Sequence, residues 1–361
     1  MTITPQINRP SPIFFEKPFA TFERETDVSR TLRTLERGKE VLISGFYSDG
    51  LQLLKAVKDY LDKKMPNDTF REQYAHRAEY YRLSNLIVIQ VIDHKLIVKK
   101  APAIGWLKKL YPEHEEFYLP FPKAQGMNSS WQWYKNGIVI PVLRNKVHPF
   151  YGIYFPTRFE HLEVFDNWLK RYEGPKKTAV DVGIGSGVLA LQLVQHGFQK
   201  VFGTDTNPNA IFGLMESMGV TKLSRKIELD HAPFFGKFDK PTELIVFNPP
   251  WLPVSESLKD VDDAMYYDEQ MFPEFFAKAK ELLLPDGKLV LLFSNIARIT
   301  NVTKEHPIEA ELAHSDRFQL ERCYKKRVKN ASDKTKREQH WRGSEEVELW
   351  VLAHKEATLA F

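Results

Sequence analysis

The residues best suited to chemistry begin with a glycine-rich stretch, residues 181–187, with the sequence DVGIGSG. This stretch ends one apolar run, residues 178–182, and precedes a helical apolar run, residues 188–194, so it predicts a turn from a strand into a helix. Glycines there let the chain turn sharply and let a ligand approach main-chain N–H groups at the helix start. The fingerprint of dinucleotide-binding folds needs its third glycine one position later, where Val188 stands. The spacing and the acidic Asp181 therefore favour a cationic ligand over a pyrophosphate.

A second acidic residue, Asp205, ends the next apolar run and lies 22 positions after Gly183. Nucleotide-binding sheets place a carboxylate at this distance, where it accepts hydrogen bonds from both ribose hydroxyls. Asp and Asn are also favoured at helix starts, so Asp205 can instead be a capping residue and Asp181 a residue of a structural turn. The residues alone leave both interpretations open.

The most specific motif is Asn248-Pro249-Pro250-Trp251, which follows a third apolar run, residues 243–247. Open α/β sheets bind ligands at the carboxyl ends of their strands, which is where this motif is expected. Two prolines remove N–H donors and stiffen the chain, so the Asn248 side-chain carbonyl and a backbone carbonyl can accept both hydrogens of one amine or amide nitrogen. Trp251 offers a flat face for a base or a planar amide. The structural alternative is a proline turn with a buried tryptophan.

The elements that must position these motifs alternate between strand and helix from about residue 151 onward. Strand-like apolar runs occupy residues 178–182, 201–205, 244–247 and 288–294, and two late runs with strand character occupy residues 318–328 and 347–354. Helical patterns separate the first four runs, at residues 188–194, 209–218 and 272–284. This alternation predicts an α/β fold with a mostly parallel sheet, covered on both faces, whose last two strands form an antiparallel edge.

Residues 1–150 have a different pattern and predict a separate α+β domain, which leaves residues 151–361 as the second domain. A helix is predicted after Ser48-Asp49-Gly50, and two β-branched runs around Asp93-His94 predict a hairpin. Residues 131–155 are dense in aromatic and β-branched side chains, and residues 44–48 are interpreted as a turn. The topology of this half stays open.

Composition limits the class of protein. The 361 residues are 43% hydrophobic and 27% charged, which is ordinary for a globular chain of about two domains. A net charge of +4 is too small to establish a polyanionic partner. The single cysteine, Cys323, excludes an internal disulfide and a multi-cysteine metal site. Residues 1–15 lack a secretory pattern and no apolar run reaches about 20 residues, so we expect a cytoplasmic protein without a membrane partner or a metal.

Together the three motifs resemble the class I S-adenosylmethionine-dependent methyltransferases, and more narrowly the amino-methyltransferases with an Asn-Pro-Pro-aromatic motif. That group includes small-domain nucleic-acid methyltransferases and release-factor glutamine methyltransferases. The resemblance covers about residues 151–354 and implies a Rossmann-like methyltransferase sheet with S-adenosylmethionine as cofactor. The cofactor contacts it implies are Asp181, Gly183, Gly185, Gly187, Asp205, Asn248 and Asp230, with His231 as the alternative to Asp230. It implies a catalytic target-amine pocket of Asn248, Pro249, Pro250 and Trp251, with further substrate contacts from Thr157 and Arg158.

Two features bear on the substrate. Residues 322–342 carry nine Lys or Arg against Asp333 and Glu338, which favours either an exposed phosphate-binding loop or a solvated one. The aromatic and basic side chains of residues 1–150 suit substrate recognition. The leading hypothesis is methylation of an exocyclic amine of a base in nucleic acid, most naturally RNA. The alternatives are methylation of a glutamine side-chain amide in a protein and a non-catalytic binding module with a methyltransferase fold.

Overall fold

The computed structural model describes residues 6–14, 20–66, 70–156, 158–219, 222–254, 266–329 and 344–355. The chain divides into two compact units, an amino-terminal unit, Ile7–Asn136, and a carboxy-terminal unit that begins at Gly137. This boundary lies 14 residues before the predicted one at residue 150. The difference has a packing cause, because Ile138, Ile140 and Val147 belong to the apolar core of the carboxy-terminal unit.

The amino-terminal unit combines a sheet with five helices among its described residues. Its strands are β1 Ala20–Phe22, β2 Val41–Ile43, β3 Ile87–Ile92, β4 Lys95–Leu96 and β5 Glu116–Pro120. Its helices are α1 Val28–Glu36, α2 Tyr47–Lys64, α3 Phe70–Asn85, α4 Gly105–Leu110 and α5 Phe121–Asn136. Strands β1, β2 and β3 are parallel, whereas β4 and β5 both pair with β3 in antiparallel fashion.

Local sequence explains two turns of this unit. Asp93 and His94 have positive φ values of 47° and 60°, which close the β3–β4 hairpin and confirm that prediction. The stretch after β2 is a strand–loop–helix junction, and its interpretation as a simple turn was wrong. The Asp49 carboxylate accepts a hydrogen bond from the Phe46 N–H at 2.7 Å and so caps α2. The aromatic residues at 131–136 belong to α5.

The carboxy-terminal unit is a larger sheet with helices on both faces. Its main strands are β6 Thr178–Val182, β7 Lys200–Asp205, β8 Ile227–His231, β9 Thr242–Phe247, β12 Leu283–Ser294, β13 Phe318–Arg327 and β14 Glu346–His354. Two short strands, β10 Leu252–Pro253 and β11 Tyr266–Tyr267, pair with each other. The helices are α6 Glu160–Leu169, α7 Val188–Gln195, α8 Pro208–Gly219, α9 Met271–Leu282, α10 Ile296–Ile299 and α11 Pro307–His314, with a 3-10 turn at Lys222–Arg225.

The strand order of this sheet, β13-β14-β12-β9-β6-β7-β8, determines where the sequence motifs meet. Strands β12, β9, β6, β7 and β8 are parallel, whereas β14 is antiparallel to both β12 and β13. The predicted Rossmann-like, mostly parallel sheet with an antiparallel edge is therefore confirmed. The order reverses between β6 and β9, so the carboxyl ends of these two strands border the crevice in which such sheets bind ligands.

Alternation along the strands buries both faces of the sheet. Ala179 and Leu244 point into a cluster that includes residues of α6 and α7. Val180 and Ile245 point into a second cluster that includes residues of α9. Because a shift of one residue would exchange the two faces, this pattern fixes the strand register and the side chains that reach the ligand-binding edge. None of the described helices is long and apolar enough to cross a membrane.

Candidate active site

The loop between β6 and α7 requires its glycines. Gly183, Gly185 and Gly187 have positive φ values of 66°, 51° and 79°, a region that residues with side chains rarely adopt. A Cβ atom at Gly187 would also lie 2.6 Å from Cδ2 of Leu214, so the turn into α7 needs the small residue. The loop is anchored to β7, since the Ile184 N–H donates to the Thr204 carbonyl at 2.7 Å. The predicted strand-to-helix turn is confirmed.

Asp181 is buried behind the first turn of α7. Its Oδ2 accepts a hydrogen bond from the Ala190 N–H at 2.8 Å, whereas Oδ1 has no hydrogen-bond partner among the described residues. Burial raises the pKa of Asp181 to about 8, against the lowering effect of the Ala190 hydrogen bond. The turn interpretation therefore accounts for one carboxylate oxygen, and the second is an unpaired acceptor that suits a cationic donor.

Asp205 joins the ends of β6 and β7. Its two carboxylate oxygens accept hydrogen bonds from the Gly185 N–H and the Asn207 N–H, both at 2.8 Å. Burial raises the pKa of this carboxyl, and the two hydrogen bonds lower it. A carboxylate offers about four lone-pair sites, so capping by Asp205 leaves acceptors for further hydroxyl groups. Its capping role and its cofactor role are compatible.

The end of β8 carries the two alternatives for the adenine region. Asp230 accepts a hydrogen bond from the Lys237 N–H at 2.9 Å and lies 3.4 Å from the Lys237 ammonium group. His231 is exposed, and its Nε2 lies 3.0 Å from the Thr206 carbonyl oxygen. The register pairs His231 with Asp205, so His231 lies beside the ribose candidate while Asp230 stabilises its own turn. A cofactor contact by Asp230 stays a prediction.

Asn248 follows β9 on the other side of the crevice. Its Oδ1 is buried and has no hydrogen-bond partner among the described residues. The neighbouring Trp251 is half-buried, and its Nε1 donates to the Leu292 carbonyl oxygen at 3.3 Å. A buried acceptor without a partner costs about 1–3 kcal/mol, and an N–H of a bound molecule would remove that cost. The Asn248–Trp251 segment can therefore bind an N–H group of a ligand, and it is also a proline turn.

His161, on α6, was not among the predicted residues. It is buried, and its ring meets that of Trp251 edge to face, with centroids 5.8 Å apart. Burial lowers the pKa of His161 to about 4, so its imidazole is neutral at pH 7. A single histidine near a helix start carries no sequence signal for such a contact, which depends on α6 crossing the sheet.

The segment before α6 holds the two predicted substrate contacts. Arg158 pairs with Glu345 at 3.1 Å, and its Nη2 is buried without a hydrogen-bond partner among the residues that the structure describes. Thr157 lies outside the described residues. Arg158 is therefore partly engaged within the protein, and its contact with a substrate stays a prediction.

Two further residues were missed, Asn207 and Asn209 at the start of α8. Their side-chain N–H groups donate to the carbonyls of Gly152 and Tyr151, at 3.1 and 2.8 Å respectively. These bonds hold the segment before α6 close to the glycine loop, because the Tyr154 carbonyl oxygen lies 3.8 Å from a Cβ placed at Gly185. Paired asparagines at a helix start are a signal, but helix capping explains them equally well in a sequence.

The first part of the basic segment lies on the edge strand predicted at residues 318–328, and not on the predicted exposed loop. Residues 322–327 belong to the edge strand β13, while residues 330–343, which include Lys336, Arg337 and Trp341, lie outside the described residues. Lys325 pairs with the buried Glu348 at 2.8 Å, and Lys326 pairs with Glu163. The many charged side chains of this edge strand hide the alternation of polar and apolar residues by which a strand is recognised in a sequence. The two described lysines assigned to phosphate binding are thus neutralised within the unit.

Comparison with known proteins identifies the unit that carries these motifs. Residues 163–320 match the family model of the methyltransferase small domain. This part of the chain is similar to methyltransferase small domains. The match includes the glycine loop, Asp205 and Asn248, and it confirms the family that the motifs resembled.

Individual relatives match over limited lengths. A putative protein N5-glutamine methyltransferase of Methanocaldococcus jannaschii is 32% identical over 126 residues, 34% of this chain and 58% of the relative. The ribosomal protein L11 methyltransferase of Carboxydothermus hydrogenoformans is 31% identical over 80 residues, 22% of this chain and 26% of the relative. The matched parts of this chain thus cover between a quarter and three fifths of the length of these relatives.

Among solved structures, a ribosomal protein L11 methylase of Lactobacillus delbrueckii subsp. bulgaricus is 19% identical. It covers 60% of this chain and 91% of its own, with a TM-score of 0.38. A likeness at this level supports no statement about substrate, so the fold assignment depends on the strand order and on the family match.

Proposed function

We propose that the protein is an S-adenosylmethionine-dependent N-methyltransferase that acts on an exocyclic amine of a base in RNA. The observation that carries this proposal is the buried Oδ1 of Asn248, unpaired among the described residues at the end of β9 in a unit similar to methyltransferase small domains. An amine or amide N–H is the group that satisfies such an acceptor. The proposal includes a cytoplasmic location and substrate recognition by the amino-terminal unit.

The residues around β6 and β7 fit S-adenosylmethionine. Oδ1 of Asp181 is an unpaired acceptor for an ammonium group, and Asp205 keeps lone pairs for two ribose hydroxyls. Left-handed Gly183 and Gly185 keep side chains away from the crevice. S-adenosylmethionine, when bound, supplies a methyl group activated by a positively charged sulfur. Within the described ranges, no group of three or more His, Cys, Asp or Glu is placed to hold a metal ion.

Asn248 and Trp251 would hold and orient the target nitrogen. Oδ1 of Asn248 accepts one N–H, and a backbone carbonyl of the proline segment accepts the other, which localises the nitrogen lone pair. The Trp251 indole, fixed by its bond to the Leu292 carbonyl, stacks on the planar group that bears the nitrogen. Alignment of this kind can supply about 7–11 kcal/mol of the barrier. Carbonyl acceptors that bind more tightly as the nitrogen becomes positive add about 3 kcal/mol.

The neutral state of His161 is consistent with this arrangement. Since burial lowers its pKa to about 4, the imidazole supports Trp251 without placing a positive charge beside a cationic methyl donor. A protonated histidine at this position would repel both the donor and the nitrogen as it becomes positive. His161 thus acts on the proposed pocket through Trp251, as a positioning residue.

The substitution Asn248→Ala tests the proposal. We expect single-turnover methyl transfer to fall by about 10²–10³, the scale reported for loss of one preorganised polar group. Calorimetry should show S-adenosylmethionine affinity within a few-fold of wild type. Asn167→Ala, which alters an exposed asparagine on α6, is the matched control and should keep full turnover. Lost cofactor binding with normal turnover of the bound cofactor would contradict the role given to Asn248.

A second candidate is methylation of a glutamine side-chain amide in a protein. The similarity to a putative protein N5-glutamine methyltransferase favours it, and an amide presents the same planar NH2 group to Asn248. Incubation of a lysate with tritiated S-adenosylmethionine, followed by separate nuclease and protease digestion, distinguishes the two. Label released by nuclease supports the base, and label released by protease supports the amide. Normal cofactor binding without any transfer would leave the non-catalytic binding module.

A further inference from the structure

The edge strand β13 carries a second arrangement of residues, outside those assigned to cofactor and target. Arg171, which follows α6, and Arg322, on β13, lie against the ring of Tyr324, with guanidinium carbons 5.7 and 5.6 Å from its centroid. Both arginines are exposed, whereas Tyr324 is half-buried and packs on the core. Contacts between a guanidinium group and an aromatic ring limit the motion of the arginine. One ring thus holds two positive charges at the surface.

These two arginines differ from the lysines around them. Each of four neighbouring lysines is neutralised by a carboxylate within 4 Å, in the pairs Lys170–Asp166, Lys288–Glu321, Lys325–Glu348 and Lys326–Glu163. The ion pairs formed by the described part of the chain include neither Arg171 nor Arg322. Arg171 uses its Nε to donate to the Asn167 carbonyl at 3.0 Å, which leaves its terminal N–H groups for other acceptors. The local excess of positive charge therefore belongs to the arginines.

A cavity of about 220 Å³ opens beside them, lined by Trp168, Glu321, Arg322, Tyr324 and Val351. The carboxylate in this lining, Glu321, is paired with Lys288. The volume is several times the roughly 30 Å³ that one water molecule occupies, so a phosphate group can enter. Guanidinium forks match the oxygens of phosphate in bidentate fashion. Size and charge both suit a phosphate.

The sheet register relates this cavity to the proposed target pocket. Phe247, the last residue of β9, is paired with Leu291 of β12, so Asn248, just after β9, is level with Leu292. Leu292 is paired with Leu349 of β14, and Leu349 with Tyr324 of β13. Asn248 and Tyr324 therefore share one row of the sheet, three strands apart. At a strand spacing of about 4.8 Å the separation through the sheet is about 14 Å. Leu292 and Leu349, which lie between the two sites, are buried, so a nucleic-acid strand can join the sites only around the edge of the sheet.

We propose that Arg171 and Arg322, held by Tyr324, bind the phosphates of a single nucleic-acid strand whose target base lies at Asn248. This rests on the proposed methylation of RNA, and it names the surface that positions the strand. An exocyclic amine must leave a duplex to be methylated, so the substrate region is single-stranded. Phosphates recur at every nucleotide, so a strand that extends from Asn248 around the edge of the sheet can present one to the cavity. Lys325 and Lys326 are not assigned to phosphate binding, because carboxylates neutralise them.

The test uses the full chain and a fluorescein-labelled 20-nucleotide oligouridylate. In the double variant Arg171→Gln/Arg322→Gln, we expect the slope of log Kd against log salt to fall by about 1.4, since each phosphate contact to a single strand contributes about 0.7. The control Lys278→Gln/Lys326→Gln also removes two positive charges. Lys278 lies over the Phe234 ring, and Lys326 is paired with Glu163. The slope of this control should change by less than half as much. Arg171→Lys/Arg322→Lys, which keeps the charge and removes the forks, should weaken binding without the full loss of slope.

Equal slopes for the two Gln variants would overturn the proposal, and the Lys variant decides it if the Arg→Gln protein fails to fold. Competition by a 20-residue polyglutamate as strong as that by oligouridylate would also overturn it, in favour of an acidic protein partner. The proposed function fails separately. If Asn248→Ala abolishes RNA methylation while the arginine variant binds RNA like wild type, methylation stands and the phosphate site falls. If nuclease releases no label but the double Arg→Gln variant still lowers the salt slope, the phosphate site stands and the proposed methylation of RNA falls.

Discussion

Replacement of Asp181 by Asn is expected to make the free protein more stable and its cofactor site weaker. Asp181 is buried behind α7, with Oδ2 bonded to the Ala190 N–H and Oδ1 unpaired among the described residues. Asparagine has the same shape, its amide oxygen can accept the same N–H, and it carries no ionisable group. The substitution therefore separates the electrostatic cost of the carboxyl from its packing.

The size of the stability change follows from the pKa. Burial raises the pKa of Asp181 to about 8, whereas an aspartate in an unfolded chain titrates near 3.9. Because the pKa of Asp181 is higher in the folded protein than in the unfolded chain, ionisation of this group lowers the free energy of unfolding. The loss is absent below about pH 4 and grows as the pH rises toward 8. At about 1.4 kcal/mol per pH unit the loss is about 1.5 kcal/mol at pH 5 and about 4 kcal/mol at pH 7. The unfolding free energy of Asp181→Asn, minus that of wild type, should thus rise by about 2.5 kcal/mol between those two pH values.

Urea unfolding at pH 5, 6 and 7 measures this difference. Asp286→Asn, at an exposed aspartate of the same unit, is the matched control for replacement of an aspartate by asparagine. A constant difference for Asp181→Asn would refute the reasoning, because it would mean that the buried carboxyl ionises as easily as an exposed one.

The same variant tests the cofactor contact. Loss of a charge-assisted hydrogen bond of about 1.5–3 kcal/mol should weaken S-adenosylmethionine binding about 10–150-fold at pH 7. Wild type should release close to one proton on binding at pH 7, since the ammonium group of the cofactor favours ionised Asp181. Calorimetry in two buffers with different ionisation enthalpies measures that proton, and Asp181→Asn should release none.

Three further predictions concern other residues of the site. Burial lowers the pKa of His161 to about 4, below about 6.5 in the unfolded chain, so stability present above pH 6.5 falls by about 3 kcal/mol as the pH drops to 4. The urea midpoint of His161→Phe should therefore fall less than that of wild type between pH 6.5 and pH 4. Gly187→Ala should lower the free energy of unfolding by about 1–3 kcal/mol, because its φ is 79° and a Cβ would meet Leu214 at 2.6 Å. Asp205→Ala should weaken cofactor binding at least tenfold by calorimetry, and equal affinity would exclude a ribose contact.

The carboxy-terminal sheet was predictable because its strands are long apolar runs followed by distinctive loops. Thr242–Phe247 is buried along its whole length, as parallel strands between two helical layers are, and such a run can be recognised without neighbours. The antiparallel edge was predicted from two late runs, residues 318–328 and 347–354. The glycine loop, Asp205 and Asn248 were placed correctly at strand ends because a strand that ends in glycine, aspartate or Asn-Pro marks its own carboxyl edge.

The amino-terminal unit was not predictable in the same way. Strands β1 and β2 have three residues each, too few to show alternation, and their pairing joins residues about 20 positions apart. Helix α5 is rich in aromatic residues that also suit strands, and the packing of Trp131 on Trp106 decides between the two. In the site, the unpaired oxygens and the His161–Trp251 contact depend on distances between elements, which no local pattern encodes.

The two strand–loop–helix junctions of this chain differ in the position of one acidic side chain. After β2, the acid belongs to the helix itself: Asp49 folds back onto the Phe46 N–H, and a Cβ at Gly45 would lie 2.5 Å from its Oδ2. After β6, the acid belongs to the strand and reaches the helix from behind, so its carboxylate does not cover the exposed Gly183 and the half-exposed Gly185. The junction after β2 is closed by its own carboxylate, and the junction after β6 stays accessible to a ligand. Moving an acid from strand end to first helical turn would therefore be a minimal way to shut such a site while keeping its fold.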